Sequence, residues 1–204
     1  MDNETYTTLK KEVQKLKKLP GQQRGEHIKY MVDYVRKEKG EEGLNRLLET
    51  LKKLDFDIGD VKELGHTEWI PESIPHVFLV AAARVFGWDK KEIFKMGRSV
   101  IPYSTTIKVY IKYFSSIKKT LKRAIDKWNK DFSRGKLELK EFDKKNGKAV
   151  LTLSDFDTHP LVCDFLRGDF TGIITLITGS KNARVKETKC MSRGYNHHEF
   201  VLEW

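Results

Sequence analysis

The sequence predicts an α+β fold in which an N-terminal helical cluster packs on a four-stranded antiparallel sheet, with the C-terminal half running β-β-α-β-β. Three observations carry this. Apolar residues recur at three- to four-residue spacing through the first two thirds of the chain, and after Gly135 the period drops to two. Between the first two alternating segments stands Asn146-Gly147, a type I′ hairpin signal.

The elements follow in chain order. Leu9, Val13 and Leu16 share one side of a helix over 6–19, which Pro20-Gly21 stops. Ile28, Met31, Val32 and Val35 continue the period over 25–39, Gly40 closes it, and 42–54 adds Leu44, Leu47, Leu48, Leu51 and Leu54. Two helices around so short a turn predict an antiparallel helical hairpin. Pro71 and Pro75 bias their predecessors to extended backbone, so Trp69 and Ile70 belong to a loop or short strand-like link. Residues 75–86 are almost wholly apolar, as in a central helix buried on most sides. Asp89 and Glu92 form a capping pattern for a helix over 89–101. Ile107, Tyr110, Ile111 and Phe114 fit one face of a further helix, and Leu121, Ala124, Ile125, Trp128 and Phe132 line the next, which Gly135 ends. Leu137, Leu139 and Phe142, then Ala149, Leu151 and Leu153, alternate as a hairpin. A helix over 159–178 carries Cys163, and the segments 183–190 and 198–204 read as a final antiparallel pair.

With 204 residues and no Pro/Gly/Ser-rich linker, one domain over 1–204 is expected. Its ligand- and metal-binding core would be 80–204, with 1–70 able to serve as a dimerisation arm. The net charge is +10, but the lysines alternate with Glu and Asp along every helix. That pattern is a solvated face, and nucleic acid is not the expected partner. The charged N-terminus is no signal peptide and no apolar run reaches the roughly 18 residues of a membrane span. A cytoplasmic protein with two reduced cysteines is expected.

Both cysteines fall in the last third, Cys190 in the pattern E-x2-C-x7-H and Cys163 27 residues before it. Two thiolates, a carboxylate and an imidazole suit a tetrahedral, borderline-soft divalent ion, zinc first. Four protein ligands close the shell, which points to structure or regulation. The alternative for the same residues is a buried apolar Cys163, a Cys190 at a strand end and exposed histidines.

The terminal run CMSRGYNHHEFVLEW resembles the signature of vinyl-reductase-type (4-vinyl reductase) small-molecule-binding domains: Cys, three residues, Gly-Asp, two residues, Cys, one residue, Phe. Those domains are similar to the sensory domains of phenol-responsive bacterial activators, and more distantly to haem nitric-oxide domains and TRAPP subunits. Cys190, Gly194 and Phe200 match the signature, while Tyr195 stands for its Asp and His198 for its second Cys. The resemblance implies Cys163, Glu187, Cys190 and His198 as metal ligands. His197 is a rival to His198, because neighbouring strand residues face opposite ways.

The resemblance implies a sensory or regulatory module with a structural zinc site. Its apolar pocket would hold a small apolar or aromatic ligand, and Tyr110, Phe114, Trp128, Phe142, Phe165 and Phe170 are the candidate walls. The same aromatics at helical spacing suit an ordinary core. A homodimer is expected, with a separate effector protein as a further partner. Three alternatives stand beside this reading. The lesser cofactor alternative is a haem-based gas sensor, for which His76 is the histidine in a strongly apolar helix, while His66 and His159 lie at loops. The Y-x-S-x-R motif of the haem relatives is absent, since Tyr103 and Ser104 are adjacent. The second alternative is an acyl-chain-holding scaffold. A metal-dependent enzyme comes last, because no G-x-S-x-G, H-E-x-x-H, P-loop or dinucleotide fingerprint is found, and Asp155, Asp157 and His159 read as a helix cap.

Overall fold

The computed structural model describes residues 1–59, 67–100 and 116–204. The chain forms two compact units, Met1–Ile93 and Phe94–Trp204.

The first unit is helical. α1 (Asn3–Leu16) is capped by Asp2, whose carboxylate accepts from the Thr5 amide at 2.7 Å, and it buries Leu9, Val13 and Leu16. α2 (Glu26–Lys53) is broken at Gly40, whose φ of 70° and ψ of 178° belong to a region only glycine occupies readily. The span is therefore two helical segments that part at Gly40, where the periodicity placed the end of the first. α3 (Ser73–Phe86) is the unit's centre: every residue from Val77 to Ala82 is fully buried, and α1 and α2 both pack on it. Arg84 ties α3 to α1 through a two-pronged ion pair with Glu12, at 3.0 and 2.6 Å. A two-stranded ribbon, β1 (Gln22–Arg24) with β2 (Trp69–Pro71), leads into α3, and the pairing of Gln22 with Pro71 sets its register. β2 is the short extended link the prolines foretold, whereas β1 is an addition. α4 (Lys90–Arg98) begins on Asp89, which accepts from the amides of Lys91 and Glu92, and its residues from Phe94 on, Gly97 among them, belong to the second unit. The helix anticipated around Ile107 and Phe114 lies outside the described residues.

The second unit holds the sheet. After α5 (Ile117–Asp131) come β3 (Lys136–Asp143), β4 (Lys148–Ser154), α6 (Pro160–Thr178), β5 (Arg184–Lys189) and β6 (His197–Glu203). All four strands are antiparallel, in the order β3-β4-β6-β5. Ala149, Leu151 and Leu153 of β4 and His198, Phe200 and Leu202 of β6 are all buried. Glu199, on the opposite face of β6, is met by Lys140, Lys189 and Thr188. α5 packs on β3, and α6 on β5 and β6.

The hairpin turn differs from the type I′ expectation. Its loop is four residues long, and of the two expected positive-φ residues only Gly147 has one, at 61°. Asp143 explains the difference, because its carboxylate accepts from both the backbone and the side-chain amide of Asn146 and holds that residue in an ordinary conformation.

Candidate functional site

β6 alternates, so His198 points inward and is fully buried, while its neighbour His197 lies on the other face with Nδ1 against the Asn196 side chain. Glu187 of β5 pairs across to Phe200 and shares the inner face. On a regular strand a residue three positions later would face the opposite side. A bulge at Thr188 corrects this, since Glu187 opposes Phe200 and Lys189 opposes Glu199, leaving one extra residue in β5. Cys190 therefore turns back inward and is 2 % exposed. α6 supplies Cys163 from its first turn, which starts on His159 and Pro160.

The structure thus brings Cys163, Glu187, Cys190 and His198 together, with one ligand atom from each lying within 4.8 Å of the others. The two sulfurs are 3.6 Å apart, and His198 Nδ1 is 3.7 Å from Cys163 Sγ and 3.0 Å from Glu187 Oε1. Around a tetrahedral ion, thiolates at about 2.3 Å and an imidazole nitrogen at about 2.0 Å stand roughly 3.8 Å (S to S) and 3.6 Å (S to N) apart. The cluster has these proportions. His198 Nε2 donates to the Phe156 carbonyl at 3.0 Å, which leaves Nδ1 as the atom facing the other three. Glu187 Oε2 accepts from Arg193 at 3.1 Å, and Ser192 Oγ lies 3.0 Å from Cys190 Sγ.

Burial alone would raise the Glu187 carboxyl, but hydrogen bonds from His198 and Cys190 outweigh it and hold the group below the usual carboxylate range. Burial, then the Glu187 charge and the neighbouring Cys190, push the Cys163 thiol up. Without a cation in the cluster Cys163 is a neutral thiol, and a cation would reverse that balance.

The expected aromatic wall is only partly assembled. Trp128 lies 6.1 Å from Phe170, which packs edge-on against Phe200 at 5.0 Å. Phe132, stacked on Trp128 at 4.0 Å as its place on the same helix side implies, and Phe156, which was not foreseen, join them. Phe142 packs instead on Trp204 at the hairpin end, 5.8 Å away. Phe165 is buried on α6, and Tyr110 and Phe114 lie outside the described residues. Asp155 has a left-handed backbone (φ 54°), and the imidazole of His159 accepts from the Leu161 amide, so this stretch is indeed a cap.

A second polar feature lies in the first unit. Glu72 occupies the cap position of α3 but makes no side-chain cap; its fully buried carboxylate stands 4.0 Å from His76 Nε2, one turn on. Gln23 and Ser73 are buried near the same corner, where the Glu72 amide donates to the Gly21 carbonyl. A buried carboxylate and imidazole on so apolar a helix cost free energy that a structural core does not require. The sequence signal was the lone histidine in the apolar run, while Glu72 escaped notice among the residues of the link.

No family model matches the chain, and no curated protein does, so the 4-vinyl reductase assignment rests on the terminal motif alone. Solved structures do match. An H-NOX protein from S. oneidensis in the Fe(II)NO ligation state superposes with a TM-score of 0.63 at 14% identity, covering 88% of this chain and 98% of the other. An Fe(II) unliganded H-NOX protein from K. algicida gives 0.63 at 8% identity, over 88% and 95%. A structure described by the modulation of haem redox potential through porphyrin distortion gives 0.58 at 15%, over 89% and 99%. The chain has the H-NOX fold. These descriptions overturn the ranking of zinc as the expected cofactor and haem as the lesser one, because the proteins sharing the fold are described by iron and haem. Ligand spacing in one cluster could not weigh the two, since it says nothing about a cofactor held elsewhere.

The tetrad does not suit haem. Both nitrogens of His198 are engaged within it, and its four ligand atoms close on one point. His76 suits haem better: it is a buried imidazole on an apolar helix, with a carboxylate beside it of the kind that orients a metal-bound histidine.

Proposed function

We propose that this protein is a small-molecule-sensing module in which haem is the ligand-reading cofactor. The observation that carries the reading is the fold shared with H-NOX proteins over 88% of the chain and nearly the whole of theirs. His76 would hold the iron, and haem, when bound, supplies an iron position open to a small ligand. Glu72, 4.0 Å from His76 Nε2, would add negative charge beside the ring at a distance longer than a hydrogen bond. The fully buried Val77, Phe78, Leu79 and Val80 beside it exclude water, which favours an apolar ligand over a hydrated one.

The tetrad has a different role in this reading. A metal ion held by Cys163, Glu187, Cys190 and His198 would have four protein ligands and no vacant position, so it would act as a staple joining α6, β5 and β6. The aromatic cluster of Trp128, Phe156, Phe170 and Phe200 packs against that corner and passes its position on to α5.

Titration of the purified protein with haemin tests the proposal. A saturable Soret band at one haem per chain is expected, with a further shift when carbon monoxide is added to the reduced form. Haemin that stays spectrally free, or binds without saturation, would sink the haem reading.

A further inference from the structure

The two faces of α5 differ in character. Thr120, Leu121, Ile125 and Trp128 are buried, while Lys118, Lys119, Lys122, Arg123 and Lys130 are exposed with a single exposed carboxylate, Asp126. Several outward cations elsewhere in this unit meet acids: Lys136 meets Glu138, Lys140 and Lys189 share Glu199, Arg193 meets Glu187 and Arg167 meets Asp164. Among the described residues no ion pair forms at Lys119, Lys122 or Lys130, and Lys118 sits over the Phe142 ring at 5.7 Å. At 1.5 Å of rise per residue, the row from Lys118 to Lys130 is roughly 18 Å long. Five cations against the one carboxylate of Asp126 leave the row net positive, and such a row attracts an extended anion.

We propose that this face of α5 is a docking surface for an acidic segment of a partner protein, and that it is the output surface of the module. The output role rests on the sensory reading; the docking does not. The exposed positions of the helix carry no aromatic ring on which a base could stack and no apolar side chain to enter lipid, which disfavours nucleic acid and membrane. Four of its five exposed cations are lysines, point charges without the planar fork that reads bases and phosphates two-pronged. The opposite face of the helix also reaches the tetrad. Trp128 meets Phe156 edge-on at 5.6 Å, and the Phe156 carbonyl accepts from His198 Nε2. His198 is thus linked to the buried side of the lysine-bearing helix through two residues, Phe156 and Trp128.

The test uses a fluorescein-labelled 15-residue glutamate-rich peptide, followed by anisotropy at low and moderate salt. The full-length variant Lys119→Glu/Lys122→Glu/Lys130→Glu is compared with Lys10→Glu/Lys11→Glu/Lys15→Glu on α1, which changes the net charge equally, and unfolding midpoints confirm that both fold. The α5 variant is expected to weaken binding by about tenfold or more and the α1 variant by less than about threefold, with salt weakening the wild type. Equal losses in the two variants would reduce the effect to net charge and overturn the proposal. So would tighter binding of a 20-base-pair duplex or of phosphatidylserine vesicles that the α5 variant abolishes. The haemin titration is read separately, so failure of the haem reading leaves the docking result standing.

Discussion

His197 and His198 are adjacent in sequence and opposite in consequence. His198 is fully buried against Glu187, Cys163 and the Phe156 carbonyl, whereas the ring of His197 lies on the other face of the strand with Nδ1 against the Asn196 side chain. His198→Ala would leave the buried Phe156 carbonyl without its donor and a cavity beside Phe200, at a cost of about 2–4 kcal/mol, and His197→Ala under about 1 kcal/mol. Urea midpoints check this, and equal effects would mean that the buried network does not hold the corner. Asp169 gives a prediction of the same scale with a pH sign. Its Oδ1 is sealed from solvent without a partner among the described residues, and burial raises its carboxyl to about 7. The folded state therefore keeps the proton that the unfolded chain releases near its ordinary value of 3.8, so this group's contribution to stability falls as pH rises from about 4 to about 7 and stays low above. Asp169→Asn should be neutral at pH 4 and stabilise by up to about 3 kcal/mol at pH 8. A gain that is the same at both pH values would disprove the buried-proton account.

At the scale of elements, α4 and α6 cross through a reciprocal pair of glycines. A Cβ on Gly97 would stand 2.0 Å from the Phe165 carbonyl oxygen, and one on Gly168 2.0 Å from that of Phe94. Backbone, not a flexible side chain, is in the way, so Gly168→Ala should cost about 1–3 kcal/mol by forcing the helices apart. Gly179→Ala meets nothing within 4 Å and pays only for its φ of 70°, about 1 kcal/mol. Thermal melts rank the two, and the reverse order would contradict the crossing. None of this could be read from sequence, because a glycine needed for close approach and one needed for a left-handed turn look the same there. The strand bulge was not anticipated either: a regular strand turns residues three apart to opposite faces, and only the extra residue at Thr188 brings Glu187 and Cys190 to one side. β1 was illegible for another reason: three residues, Gln22–Arg24, are too few to show a period, and their pairing with Trp69–Pro71 spans more than forty residues of chain.

At the scale of the whole molecule, the two donor sets lie in different compact units, His76 with Glu72 in the first and the tetrad in the second. The second was legible because its ligands follow one another on β5 and β6 with only Cys163 remote. The first was half legible, since a histidine in an apolar helix stands out while the carboxylate beside it looks like part of a loop. Because the two sets share no residue, the two cofactor signals are expected to be removable independently. His76→Ala should abolish the Soret band formed with haemin and leave metal content, measured by elemental mass spectrometry, unchanged. Cys190→Ser should do the opposite: lose the metal, lower the melting temperature by several degrees, and keep the Soret band. Glu72→Gln should keep haem but move its reduction potential, because it removes a buried negative charge 4.0 Å from the histidine ring. A Soret band untouched by His76→Ala would reassign the iron ligand, and metal content untouched by Cys190→Ser would return both cysteines to the role of buried core residues.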